Sequence, residues 1–304
     1  MTDDGDTGWL RRAAFGDQPD ADVHAAAADG TPYQRWLAAV ALGGQGRYAA
    51  ATPVLRQLLG GREPVLGALA ASTLASHRRQ LGAHAVARRL DAAALGRLAG
   101  ISPASPRRFD RDGVDAAGAW SDALLGLAAD AVGLGRVAEA RRLHTAACGL
   151  PQPSWRARVR TGWLAAEIQL AAGDPAGAVP AAESAAEEAR AAGAVRHLMK
   201  SNLVLAAALT AAAFPPEFDR AAALLNETLA ASRNQGMPPL VWPSSLLLAG
   251  LRADEHDTFS RIAGEALTCV FLRSDGEMRR LASASDWIPT NLLRWSEPSP
   301  NMDA

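Results

Sequence analysis

A chain of 304 residues that is 49% apolar, 21% charged and within one unit of neutral holds enough apolar material for a large core, in one elongated or two compact domains, which excludes overall disorder. Aromatic residues are only 5%, alanine is abundant and β-branched residues are few, so the expected fold class is all-α. Cys148 and Cys269 are too few for a disulfide framework, and each sits in an apolar helical stretch as an expected small core residue.

No apolar run approaches the roughly 20 residues of a membrane span, and the opening MTDDGDTGWLRRAAF is acidic where a signal peptide is basic, so a cytoplasmic protein with no membrane partner is expected. Residues 1–30 carry seven acidic side chains against Arg11 and Arg12, ahead of a short alanine helix around Val23 to Ala28; they read as a cap or a tail. Pro32 opens the first clear helix, YQRWLAAVALGG, and after Gly46 RYAAATPVLRQLLGG supplies its partner. Residues 31–99 thus hold two helical hairpins. The stretch 100–119, with Pro103, Pro106, Gly113 and Gly118, has no helical period and reads as a surface linker. Residues 120–285 read as four more hairpins, and 286–304 as a tail in which Trp287, Ile288, Leu292, Leu293 and Trp295 precede a Pro- and Ser-rich end.

The clearest hairpin lies between Ser154 and Gly193. Ser154 is suited to cap a helix whose Trp155, Val159, Trp163, Ala166 and Leu170 keep one stripe, and Gly173 stops it. Asp174 and Pro175 then open the second helix, with Val179, Ala182 and Ala186 facing inward. Taking the turn as register mark, GRYAAA at Gly46, GAHAVA at Gly82, GRVAEA at Gly135 and GDPAGA at Gly173 align, with weaker copies at Pro216 and Ala253. An alanine follows each glycine mark five positions on: Ala51, Ala87, Ala140 and Ala178. Small residues there let two helices approach closely.

The pattern Trp36, Gly46, Tyr48, Ala51, repeated as Trp163, Gly173, Pro175, Ala178 and in part as Gly135, Val137, Ala140, resembles the tetratricopeptide repeat over residues 31–95 and 120–275. The spacing departs from that family's unit of about 34 residues, the intervals here being 36, 53, 38, 43 and 37. Longer, degenerate repeats of this kind are similar to helical sensor domains of bacterial transcription regulators. The resemblance implies an α-solenoid, a right-handed superhelix of about six hairpins, with a concave ligand surface lined by the first helix of each pair. The matching positions are Tyr33, Trp36 and Val40, then Leu125, then Arg160, Trp163 and Glu167.

No GxxxxGK[ST], strand-flanked GxGxxG, HExxH, CxxC or GxSxG is present, so a non-catalytic protein with no cofactor and no metal is expected. His77 and His84 lack a third ligand at metal spacing and read as polar positions flanking the Gly82 turn, while Glu183, Glu187 and Glu188 read as a solvated helix face. Arginine accounts for all basic residues but Lys200, and pairs of it, Arg78 and Arg79, Arg88 and Arg89, Arg107 and Arg108, form a patch suited to an anionic partner. The leading expectation is a regulatory scaffold or adaptor that binds a protein or peptide. A nucleic-acid-binding accessory factor is the alternative, and a small-molecule sensor domain the second.

Overall fold

The computed structural model describes residues 7–104, 109–151, 153–212 and 215–293, and among them the regular structure is helical throughout, with no strand. Two short helices come first, α1 (Gly8–Phe15) and α2 (His24–Asp29). Six pairs follow: α3 (Pro32–Gly44) with α4 (Tyr48–Leu59), α5 (Pro64–Gln80) with α6 (His84–Arg97), α7 (Ala116–Gly133) with α8 (Val137–Cys148), α9 (Trp155–Ala171) with α10 (Pro175–Ala191), α11 (Val195–Ala212) with α12 (Pro215–Asn234), and α13 (Pro238–Leu251) with α14 (His256–Leu272). A last helix, α15 (Gly276–Ser283), ends the set.

Local chemistry explains the boundaries. Thr31 and Gln34 form a reciprocal capping box at α3, and Asp115, Ser154, Asp174 and Asp275 each accept the amide three residues on to start α7, α9, α10 and α15. The turns within the first four pairs use one device. Gly46, Gly82, Gly135 and Gly173 have φ of 70, 73, 73 and 78°, a region that L side chains avoid. The amide after each glycine bonds back to the carbonyl five residues earlier, as in Arg47 to Leu42 and Asp174 to Gln169, which closes a Schellman motif. Ala51, Ala87, Ala140 and Ala178 are each 0% exposed, so the second helix of each pair lies close against its neighbours there.

From α2 to α14 each helix packs on the next, and the first members also touch in a row, α3 to α5, α5 to α7, α7 to α9, α9 to α11 and α11 to α13. Helix α1 lies on the inner side of that row. Its Leu10, Ala13, Ala14 and Phe15 are buried in one core with Trp36 and Leu37 of α3, Val159 of α9 and Ala185 and Ala189 of α10. The Val195 amide at the head of α11 donates to the Gly16 carbonyl.

The end of the chain returns to its beginning. The Ala49 amide donates to the Arg273 carbonyl at 2.8 Å, and Tyr48 and Leu81 share a core with Phe271, Met278, Ala282 and Ile288. Farther on, Ser285 Oγ donates to the Gly82 carbonyl and Trp287 Nε1 to the Gly133 carbonyl, each at 3.2 Å. Residues 273–288 therefore run as a clasp across the turns of the first three pairs. No helix among the described residues is long and apolar enough to cross a membrane.

Two expectations about single residues and segments differ from what the structure holds. Cys148 is exposed rather than core, because α8 packs through little more than Ala140 and Ala147. Within the stretch read as a surface linker, Asp112 is 7% exposed and Gly113 is buried, since both are bonded to Arg156.

Candidate functional site

A cluster of buried charge links α1, α7, α9 and the 110–113 segment. Helix α9 presents Arg156, Arg160, Trp163 and Glu167 at spacings of four, three and four residues, which keeps them on one face. Arg156 is 6% exposed and fully engaged: Nε donates to the Asp112 carbonyl at 2.8 Å, Nη2 to the Gly113 carbonyl at 3.0 Å and Nη1 to Asp122 Oδ2 at 2.7 Å. Arg160 takes the other oxygen of Asp122, so one carboxylate on α7 serves two guanidinium groups of α9. Asp112 is held in turn by Trp155 Nε1 at 2.9 Å and by Arg11 of α1, which also binds Asp110 and the Tyr33 hydroxyl. The Arg156 guanidinium lies 5.4 Å over the Phe15 ring. Helix α1 is thus tied by charge as well as by apolar contact.

One turn along, His197 of α11 stacks on Trp163 at 5.6 Å and meets Trp155 edge-on at 4.9 Å. Trp163 Nε1 donates to Ser201 Oγ at 2.7 Å. Lys200 sits 5.8 Å over the same indole and 3.5 Å from Glu167. Trp163, Lys200 and Glu167 remain partly exposed, while His197, Trp155 and Ser201 are buried.

The residues expected to share a groove are therefore divided. Trp36, Val40 and Leu125 are 1%, 6% and 2% exposed and offer a partner nothing, because α1 covers the α3 face and α7 is packed between its neighbours. Trp36 spends its indole N–H on Thr73 Oγ1 at 3.1 Å. Tyr33 is half-buried under Arg11. Arg160, Trp163 and Glu167 share one face of α9 and are each partly exposed.

The arginine patch is dispersed in the same way. Arg78 is 1% exposed, bonding Asp275 at 3.1 Å and Glu277 at 3.2 Å. Arg79 joins Asp91 and Asp130, both 0% exposed, and Arg88 joins Glu139. Only Arg89 of these four is exposed, and Arg107 and Arg108 lie outside the described residues. Charge already neutralised by the chain's own carboxylates is poorly placed to release counterions from nucleic acid.

A second hollow, a cavity of about 360 Å³, opens between α7–α8 and α9–α10 and is lined by Gly118, Ser121, Cys148, Ala157, Thr161 and Gly162 among others. Cys148 borders it, but His144, one turn back on α8, has its imidazole Nε2 committed to the Thr161 carbonyl at 3.1 Å, and burial pushes the thiol up rather than down. That is the opposite of an activated thiolate. No group of three or more His, Cys, Asp or Glu among the described residues is arranged to hold a metal.

Burial also sets the response to acid. His77 is 3% exposed rather than flanking the turn at the surface, and burial, helped by Arg196 and Arg78, lowers it to about 3. His197 is driven well below the ordinary value by burial and by Arg196, Arg156 and Arg160. Asp91 moves the other way: burial raises it to about 7, with Asp130 adding to the rise and Arg79 opposing it.

As the pH falls through the ordinary histidine value of about 6.5, the unfolded chain takes up protons at both histidines that the folded chain resists, while folded Asp91 holds one that the unfolded chain has lost. The two histidines outweigh the one carboxyl, so stability should fall on acidification through that range. Urea midpoints measured from pH 7 to pH 4.5 test this. His77→Gln should flatten the slope; an unchanged slope in that variant would remove His77 from the account.

Compared with known proteins, the chain matches no family model and no curated protein. Sequence reasoning located α9's contribution to the inner face but missed Arg11, Asp112, Asp122 and Arg196. Asp122 and Arg196 sit in helices whose inward face the spacing does reveal. Asp112 lies in a segment with no period at all.

Proposed function

We propose that the chain is a non-catalytic helical scaffold of tetratricopeptide type, and that it seats a short amphipathic helix of a protein partner against the inner faces of α3, α9 and α11. The observation that carries this reading is the seat of α1. An eight-residue helix with Leu10, Ala13, Ala14 and Phe15 on one side lies where such a ligand would lie, pinned by Arg11 to Asp110, Asp112 and Tyr33. Beside it the exposed parts of Trp163, Lys200 and Glu167 extend the same face. The common turn geometry at Gly46, Gly82, Gly135 and Gly173 supports the repeat type.

Loosening α1 should open the seat. A labelled peptide of residues 7–18 is expected to bind an Arg11→Ala variant more tightly than the wild type by about tenfold, the scale of one charged contact. The same peptide should displace any protein that the variant captures from a native extract. A peptide that neither binds nor displaces removes the reading.

A further inference from the structure

We infer that Arg196 is the anchor of an anion-binding site on the inner face, taking the oxyanion of a carboxylate or a phosphate. Arg196 projects from the first turn of α11 toward the C-terminal end of α3, deep among the inner helices yet with part of its surface open. Gly44 makes the room: a Cβ there would stand 2.9 Å from Arg196 Cδ and 3.4 Å from Nη1.

The other arginines facing this interior have carboxylates. Arg11 has Asp110 and Asp112, Arg79 has Asp91 and Asp130, and Arg156 and Arg160 share Asp122. Arg196 has none among the described residues, and its one hydrogen bond there runs from Nη2 to the Ala14 carbonyl at 3.2 Å. Burial, with the cations Arg156 and Arg160, lowers its pKa to about 10, and Tyr48 opposes the fall.

Next to it on the helix, His197 is 5% exposed and its Nδ1 has no partner among the described residues. An unpaired guanidinium in such surroundings is costly, and burial of one without a counter-charge is uncommon unless something supplies the charge. A planar fork that gives one N–H to a carbonyl keeps others for an oxyanion in two-point contact. The inference stands independently of any protein partner, because the probes that test it are small ions.

The experiment uses the full chain at constant ionic strength, with chloride replaced by inorganic phosphate in one arm and by acetate in the other. Thermal unfolding of the wild type should shift upward with at least one oxyanion, and which arm responds separates a phosphate from a carboxylate ligand. Arg196→Met should abolish the shift. In chloride alone that variant should melt no lower than the wild type, since it removes an unpaired cation rather than a strut. Arg196→Lys keeps the charge but not the fork, and should weaken the ion about tenfold.

Three results overturn the assignment: no shift with either oxyanion, an equal shift in Arg196→Met, or a lysine variant that binds as tightly as the wild type. A clear fall in the melting temperature of Arg196→Met in chloride does the same, by making the guanidinium structural. None of these outcomes bears on peptide capture through α1, so the two readings fail separately.

Discussion

Replacing Arg156 by methionine should cost about 3–5 kcal/mol, the largest effect expected of any single substitution in this chain. The side chain is 6% exposed and its three donor atoms hold the Asp112 and Gly113 carbonyls and one oxygen of Asp122. Methionine fills similar volume, so packing against Phe15 survives in part, but the Asp112 and Gly113 carbonyls lose their donor and Asp122 is left with Arg160 alone. Buried acceptors without donors carry the full desolvation penalty. Urea denaturation followed by far-ultraviolet circular dichroism measures the loss. Arg156→Lys should recover less than half of it, because an ammonium does not span two carbonyls and a carboxylate at the same time. A methionine variant within about 1 kcal/mol of wild type would show that the network is not holding α7, α9 and the 110–113 segment together.

Asp275→Ala should cost about 3 kcal/mol and act mainly on the clasp. The carboxylate accepts the Met278 amide at 2.8 Å to start α15, takes the Thr52 hydroxyl at 3.0 Å, and neutralises Arg78, which is otherwise left to the half-exposed Glu277. Loss of the cap alone is worth about 1 kcal/mol, so Asp275→Asn, which still caps, separates that part from the charge. Hydrogen exchange should quicken first in α15 and in the segment that follows it. Uniform loss of protection across the molecule, with the clasp no faster than the rest, would contradict the local assignment. Partial burial pushes the Asp275 carboxyl up, but the Met278 amide, Arg78 and Thr52 outweigh it and hold it below the usual carboxylate range. Its contribution is therefore complete above about pH 4 and is lost only as the pH falls below that.

Much of the helical order is legible in the residues. Gly46, Gly82, Gly135 and Gly173 mark the turns because the left-handed backbone there favours glycine, and the alanine five positions later follows from the close approach of paired helices. These are local requirements, and local requirements leave a period in the sequence. The closure of the chain leaves none. Asp275 meets Arg78 and Thr52 across nearly two hundred positions or more, and Arg11 meets Asp112 across 101, so nothing in either neighbourhood announces the partner.

The same limit explains the groove. Trp36 and Val40 have the spacing of a helix face, and that face is real, but spacing does not reveal that α1 covers it. Arginine pairs likewise look alike in a sequence whether they meet solvent or, as with Arg78 and Arg79, the chain's own aspartates.

The clasp has a consequence for how the molecule comes into being. Open arrays of helical repeats gain stability from neighbours alone and are able to grow or melt one unit at a time. Here the first pair receives part of its apolar cover, and Arg78 of the second pair its counter-charge, from residues translated more than two hundred positions after Tyr48. While the ribosome is still at work, that pair must wait with an unfinished surface, and it becomes a client for chaperones until the last helix emerges. Completed, the molecule should come apart as a unit rather than fray from one end.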